Sequence, residues 1–131
     1  MRRRGGLRRD RRGVAAFEFA LTAPFAIVLL VGISQLGLMF AANASLRHAV
    51  DEGARYATIY PRPSDSDISA MISHREFMMT SSRITGPSFS HGTSDGVPYI
   101  DITMGYIAPM NFVLFSTPPI TLSYTRRAYQ S

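Results

Sequence analysis

Residues 13–42 read GVAAFEFALTAPFAIVLLVGISQLGLMFAA and form the longest apolar run of the chain. From Phe19 to Ala42 it contains no charged side chain. As an α-helix, its 24 uncharged residues span about 36 Å, whereas the hydrocarbon core of a bilayer is about 30 Å thick and needs roughly 20 residues. The stretch therefore predicts a transmembrane helix at about residues 19–42, long enough to cross with some tilt.

The charge of the chain is concentrated before this stretch. All 14 basic residues are Arg, and seven of them lie within residues 2–12 beside one acid, Asp10. From residue 19 onward, seven Arg balance seven acids. A basic flank keeps its end of a transmembrane helix in the cytoplasm, so we expect residues 43–131 on the far side. An Arg-rich run also suits RNA phosphates, but its place directly before the apolar run favours a topology signal and no nucleic-acid partner.

Two alternatives for the N-terminal segment remain open: cleavage as a secretory signal, and retention without any cleavage. Ala42-Asn43-Ala44 fits the small-x-small site of a secretory signal, and cleavage there would release a soluble binding domain that begins at Ser45. The apolar core of such a signal is about 7 to 15 residues, shorter than this run, which favours a retained anchor. The other fate is an unprocessed single-span scaffold of a bacterial envelope complex. The mature N-terminus distinguishes the alternatives. It would be Ser45 after secretory cleavage, Met1 in an unprocessed protein, and Val14 if the chain is instead cut after Gly13.

One carboxylate, Glu18, lies at the mouth of the apolar run. A charged side chain within the membrane costs roughly 2.5 to 3.5 kcal/mol, and less near the interface, where it reaches water. Cleavage after Gly13 would free an ammonium on Val14, four residues before Glu18 and therefore one helical turn away. We expect this amine to neutralise Glu18, either within one subunit or on a neighbour.

These residues carry a family resemblance. A basic leader, Gly13, four residues, Glu18 and Phe19, then a long apolar run resemble type IV prepilin-like proteins. Continued through the ARYA of residues 54–57, the pattern is similar to the TadE-like family of the tight-adherence (Flp) pilus machinery, over about residues 11–60. The resemblance implies a minor pseudopilin whose leader, residues 1–13, is removed by a membrane aspartic prepilin peptidase.

The same resemblance implies roles and partners. Glu18 and Phe19 would serve recognition and assembly, and Gly13 and Val14 would flank the cut. The partners would be the lipid bilayer, the prepilin peptidase, other pilin or pseudopilin subunits and the pilus assembly platform. The protein would be a single-pass protein of the bacterial inner membrane, with a cytoplasmic N-terminus and an extracytoplasmic C-terminal domain, and could enter a pilus.

The apolar run also contains features of helix packing. Pro24 removes a backbone donor and predicts a kink. Small residues four positions apart let helices approach closely, and the positions expected to pack on a partner helix are Ala16, Ala20, Gly37 and Ala41. Beyond the membrane, apolar residues continue at helical spacing until Pro61. We therefore predict one N-terminal helix over residues 14–60.

Residues 61–131 predict a small α+β domain. A helix is expected within residues 64–80, with Ser64 or Ser66 as N-cap, and its buried face would hold Ile68, Met71, Ile72 and Met79. Residues 83–96 read as a loop with at most a short strand at its start. Alternating apolar residues predict strands at residues 99–106 and 120–125, paired antiparallel. The fold class is thus α+β, a long transmembrane and amphipathic helix followed by a domain with one helix and a short antiparallel sheet.

The apolar segment Met110–Phe115 has two interpretations. It is either a buried turn of the core or a loop that contacts a membrane or a partner.

The sequence offers no catalytic constellation. His48, His74 and His91 lack metal-ligand spacing. Asp65-Ser66-Asp67 lacks the glycine and the distal acid of a calcium loop and is typical of a helix N-cap. No phosphate-binding glycine loop is present in the sequence. We therefore expect no enzyme activity, no cofactor and no metal.

Overall fold

The computed structural model describes residues 11–75, 79–112 and 115–130. It contains helices α1 (Arg11–Tyr56) and α2 (Asp65–Ser73), a 3₁₀ turn (Ser81–Arg83), and strands β1 (Ile84–Ser94), β2 (Val97–Ala108) and β3 (Ile120–Tyr129). This is the predicted α+β architecture, a long N-terminal helix followed by a small domain. Most of the predicted leader, residues 1–10, lies outside the described residues, as do residues 76–78 of the predicted second helix and residues 113–114 of the apolar segment.

Helix α1 has two distinct surfaces along its 46 residues. Between residues 13 and 41 no side chain is buried, and large apolar groups such as Phe17 and Phe25 are more than two-thirds exposed. From Ala42 onward, side chains on one stripe of the helix are buried, namely Ala42, Leu46, Ala49, Val50 and Ala54, and Ala57 just after the helix is buried too. Gly13–Tyr56 is long and apolar enough to cross a membrane by length and composition. The helix ends at Tyr56, before the predicted residue 60, and residues 57–60 form turns and bends.

Helix α2 begins with reciprocal hydrogen bonds at its N-cap, Ser64, as predicted. The Asp67 N–H donates to the Ser64 hydroxyl (3.3 Å), and the Ser64 N–H donates to the Asp67 carboxylate (3.0 Å). The Ser64 hydroxyl and N–H hold the pKa of Asp67 below its usual value. Ile68 and Ile72 are buried as predicted, whereas Met71 and Met79 are half-buried.

Helix α2 packs closely on α1 at Gly53. A Cβ atom at this position would lie 2.6 Å from Ile72 Cγ1 and 2.7 Å from Ile72 Cδ1. Glycine therefore leaves the space that Ile72 fills, and Ile68 and Ile72 join the buried stripe of α1 in one core.

The sheet has the order β1-β2-β3 with antiparallel neighbours. Alternate side chains of β2 are buried against the helices, and they are Ile100, Ile102, Met104, Tyr106 and Ala108. The two predicted strands and their antiparallel pairing are confirmed, although both strands are longer than the alternation indicated.

The prediction of a loop over residues 83–96 is wrong, because residues 84–94 form β1. This strand pairs with β2 through a two-residue turn, Asp95-Gly96, in which both φ angles are positive (52° and 80°). That geometry is the one that favours Asp-Gly in a hairpin. None of the β1 side chains is fully buried, and a register shift between Thr85 and Ser88 breaks the alternation. A partly exposed edge strand therefore lacks the apolar alternation by which the other strands were recognised.

Candidate functional site

The predicted processing and recognition residues lie on the first turns of α1. Gly13, Val14, Glu18 and Phe19 all belong to one uninterrupted helix. Val14 and Glu18 are four residues apart and so share a helix face. The side chains are exposed, with Val14 at 59% and Phe19 at 72%. No described part of the C-terminal domain covers this segment, so it is open to lipid or to another protein.

Pro24 lies inside α1, which continues through it. Proline cannot donate the hydrogen bond that a helix normally gives to the carbonyl four residues earlier, here that of Ala20. Two residues before Pro24, the Thr22 hydroxyl donates a hydrogen bond to the Glu18 carbonyl (2.9 Å). The same hydroxyl lies 3.3 Å from the Phe19 carbonyl. Such side-chain bonding to the preceding turn is associated with helix bending. Sequence reasoning overlooked Thr22, and the kink at Pro24 stays a prediction.

The four small residues are also accessible on α1. Ala16, Ala20 and Gly37 are exposed and Ala41 is half-buried. A Cβ added to Gly37 would meet nothing within 4 Å. Each residue turns an α-helix by about 100°, so Ala20 points about 200° away from Glu18. The acid and the small residues therefore occupy different faces, and packing of a partner on one face leaves the other free.

A third face of α1 is fixed on the sheet. The Tyr124 hydroxyl of β3 donates to Asp51 Oδ1 (3.1 Å), and Arg126 Nε lies 3.7 Å from the same oxygen. The Arg47 guanidinium lies 5.1 Å from the centroid of the Tyr124 ring. These polar contacts flank the apolar stripe that begins at Ala42, so the C-terminal domain is held in one rotational position on the helix.

A polar cluster lies on the sheet surface opposite the core. Arg127 Nε and Nη2 each donate to a different carboxylate oxygen of Asp101 at 2.7 Å. The Arg127 guanidinium also lies 3.8 Å from the centroid of the Tyr99 ring, whose edge meets Tyr129. The hydrogen bonds from Arg127 lower the pKa of Asp101, and those to Asp101 raise the pKa of Arg127. The cluster links adjacent strands, and local sequence patterns do not reveal it because it depends on the register of the strands.

The histidines serve as ordinary surface residues where their contacts are described. His91 of β1 lies 3.1 Å from the Asp65 carboxylate and thus connects the sheet to the start of α2. His48 and His74 are exposed. Across residues 11–75, 79–112 and 115–130, no group of three His, Asp or Glu side chains has the arrangement that a metal ion needs.

Comparison with known protein families gives a match to the N-terminal segment only. The family described as TadE-like protein matches residues 13–55, which is about a third of the 131-residue chain. No curated protein and no solved structure gives a significant match. The matched segment begins at the predicted cut and stops one residue before α1 ends. The family resemblance is therefore confirmed, and it is carried by the helix rather than by the C-terminal domain.

Proposed function

Residues 13–55 are TadE-like, which relates this chain to the tight-adherence pilus proteins, and on this premise we propose that it is a minor pseudopilin. It is anchored in the bacterial inner membrane by α1, with the Arg-rich end in the cytoplasm and the C-terminal domain outside. A prepilin peptidase removes residues 1–13, and the subunit then joins a pilus or its assembly complex through contacts between helices. Its role is structural rather than enzymatic.

The observation that carries the proposal is the apolar exposure of α1. Twelve large apolar side chains between Val14 and Phe40 are 45% to 74% exposed. Complete burial of one such side chain is worth about 1.5–3 kcal/mol, so removing the exposed part of all twelve from water is worth on the order of 10–20 kcal/mol, which is comparable to the roughly 5–15 kcal/mol net stability of a typical domain. A segment of this kind requires lipid or neighbouring helices around it. Membrane anchoring supplies the first environment, and assembly supplies the second.

Secretory cleavage after Ala44 fits the structure less well. That bond lies inside α1, between the buried side chains of Ala42 and Leu46. Cleavage would detach Ala42 from the core of the domain and leave a new helix end in the middle of a packed face. Retention of the helix is therefore favoured.

Glu18 is the proposed recognition and assembly acid. In a single subunit its side chain is exposed on the apolar half of α1. After cleavage, the Val14 ammonium would lie one turn away on the same face, where an opposite charge reduces the unfavourable free energy of placing a carboxylate near lipid. The acid then prefers a position beside the new N-terminus of its own or a neighbouring subunit.

The test compares Glu18→Ala with Glu52→Ala, the same substitution farther along the same helix and outside the proposed membrane span. We expect both variants to insert in the membrane. The Glu18→Ala variant should be cut slowly or fail to support pili, whereas Glu52→Ala should support them normally. Normal cleavage and normal piliation by the Glu18→Ala variant would contradict the role assigned to this acid.

A further inference from the structure

The two ends of the sheet differ in charge. From Ile102 to Thr125 the chain has no charged residue over 24 positions. This run covers most of β2, the connection between β2 and β3, and the first half of β3. The acidic, arginine and histidine side chains of the hairpins lie toward the opposite end, and they are His91, Asp95, Asp101, Arg126 and Arg127. The register brings Ile84, Tyr106 and Leu122 together at the uncharged end.

The uncharged end of the sheet lies along the apolar half of α1. A Cβ atom at Gly32 would be 3.6 Å from Phe112 Cε1, which places the Phe112 ring against the helix there. Gly32 precedes Ala42, where the buried stripe begins, by ten residues or about 15 Å of helix. The connection between β2 and β3 therefore reaches well into the segment that we assign to the membrane.

The depth of this contact follows from the geometry of α1. If Glu18 marks the cytoplasmic boundary, a hydrocarbon core of about 30 Å ends near Leu38, 20 residues further on. Gly32 lies about 21 Å from that inner boundary, so the Phe112 ring is about 9 Å inside the opposite one. Arg83, in contrast, borders a cavity of about 170 Å³ together with Leu38 and Met39. Arg83 thus lies near the outer boundary of the hydrocarbon core, close to the lipid phosphates, to which Arg binds well.

The described residues of this connection, 109–112 and 115–119, are here called the tip loop. The Phe112 and Phe115 rings are stacked with centroids 4.8 Å apart. The Phe112 N–H donates to the Phe115 carbonyl (2.9 Å), and the Thr117 N–H donates to the Met110 carbonyl (3.2 Å). Phe115 is 55% exposed, although it is large and apolar. These two hydrogen bonds pair backbone groups within the loop, which lowers the free-energy cost of bringing it into contact with lipid, where water is not available as a partner.

We propose that the tip loop and the uncharged end of the sheet insert into the outer leaflet of the bilayer that α1 crosses, and that Arg83 binds lipid phosphate at its surface. The C-terminal domain is then seated partly in lipid instead of standing clear of the membrane. The lipid surface is the occupant because the exposed Phe115 ring, stacked on Phe112 against the helix, continues the exposed apolar surface of α1. The inference rests on the proposed membrane span but not on processing or assembly.

The experiment uses the absence of cysteine from the natural sequence. The full chain carries an environment-sensitive fluorophore on one introduced cysteine and is reconstituted, at a low protein-to-lipid ratio, in vesicles of phosphatidylethanolamine and phosphatidylglycerol. Phe115→Cys reports on the tip loop, Phe25→Cys on the span, and Thr93→Cys on the exposed charged end of β1. Ser116→Cys repeats the tip measurement with both aromatic rings retained.

The expected result is that the probes at residues 115, 116 and 25 are quenched by spin-labelled lipids and emit at shorter wavelength than the probe at residue 93. Their quenching constants with aqueous iodide should be several-fold smaller than that at residue 93. Iodide quenching at residues 115 and 116 equal to that at residue 93, with residue 25 still quenched by lipid, would overturn the inference and leave the span intact.

Two further outcomes would also overturn it. If the probe at residue 25 is not quenched by lipid, the span itself fails and the inference fails with it. If the probes at residues 115 and 116 are protected only at high protein-to-lipid ratios, a second copy of the chain covers the tip loop, and lipid does not.

Discussion

The two halves of helix α1 lie in different environments although the helix is continuous. Residues 13–41 have no buried side chain and carry only one charged residue, Glu18, whereas residues 42–56 bury one stripe and expose charged side chains on the other. An apolar surface all round the helix is typical of a membrane span, and a single stripe is typical of a helix packed on a domain. The TadE-like match includes nearly all of both halves. The matched segment of this chain therefore joins an uncovered apolar half to a half that packs on the C-terminal domain.

Leucine truncation in each half gives the largest expected contrast. Leu46 is fully buried in the core and Leu30 is 64% exposed. The Leu46→Ala variant should lose about 2–5 kcal/mol of unfolding free energy because it leaves a cavity. Leu30→Ala should change the stability of the domain by no more than about 0.5 kcal/mol, as surface substitutions do. Denaturant unfolding of the purified protein in detergent micelles checks both, and equal losses would contradict the division of α1.

Glycine replacement sharpens the same contrast with a smaller effect. A methyl group at Gly53 would meet Ile72, whereas one at Gly37 would meet nothing within 4 Å. Overpacking costs about 1–3 kcal/mol, partly offset by the roughly 1 kcal/mol that alanine gains over glycine in a helix. Gly53→Ala should therefore unfold at lower denaturant concentration than the wild type, and Gly37→Ala should not. A Gly53→Ala variant as stable as the wild type would show that α2 can move away without loss.

The pH dependence of stability tests the ion pair between Asp101 and Arg127 on the surface of the C-terminal domain. The pKa of Asp101 is lowered in the folded state by Arg127. A carboxyl whose folded pKa is lowered stabilises the fold above its unfolded pKa, about 3.9, and this contribution is lost as the pH falls through the lower folded value. Asp101→Asn should remove this part of the acid sensitivity, whereas Asp95→Asn, at the hairpin turn, should retain it. Thermal unfolding between pH 7 and acid conditions measures the difference, and an unchanged profile in Asp101→Asn would contradict it.

The sequence predicts correctly those elements in which the apolar residues recur regularly and are buried on one face. The strong alternation of Ile100, Ile102, Met104 and Tyr106 identified β2 because all four side chains are buried. Strand β1 was missed because an edge strand with half-exposed side chains has no such alternation, even though Asp95-Gly96 is a recognisable hairpin turn. Pro61 predicts that α1 ends at residue 60, but the helix stops at Tyr56 and the chain turns before it reaches the proline.

The candidate site was predictable only in part, because only some of its residues are close together in the sequence. Gly13, Glu18 and the apolar run form a linear pattern, so the family resemblance was accessible from the sequence, and the match over residues 13–55 confirms it. The Asp101–Arg127 pair and the Phe112 contact near Gly32 join residues that are far apart in the chain. Such contacts depend on strand register and on how the domain docks on α1, which local patterns do not specify.

The most direct measurement of the central claim is the mature N-terminus of the native protein isolated from cell envelopes, determined by intact mass and N-terminal sequencing. Cleavage after Gly13 predicts a chain that begins at Val14, with its free ammonium one turn from Glu18. A native membrane protein that still begins at Met1, or a soluble one that begins at Ser45, would contradict the account.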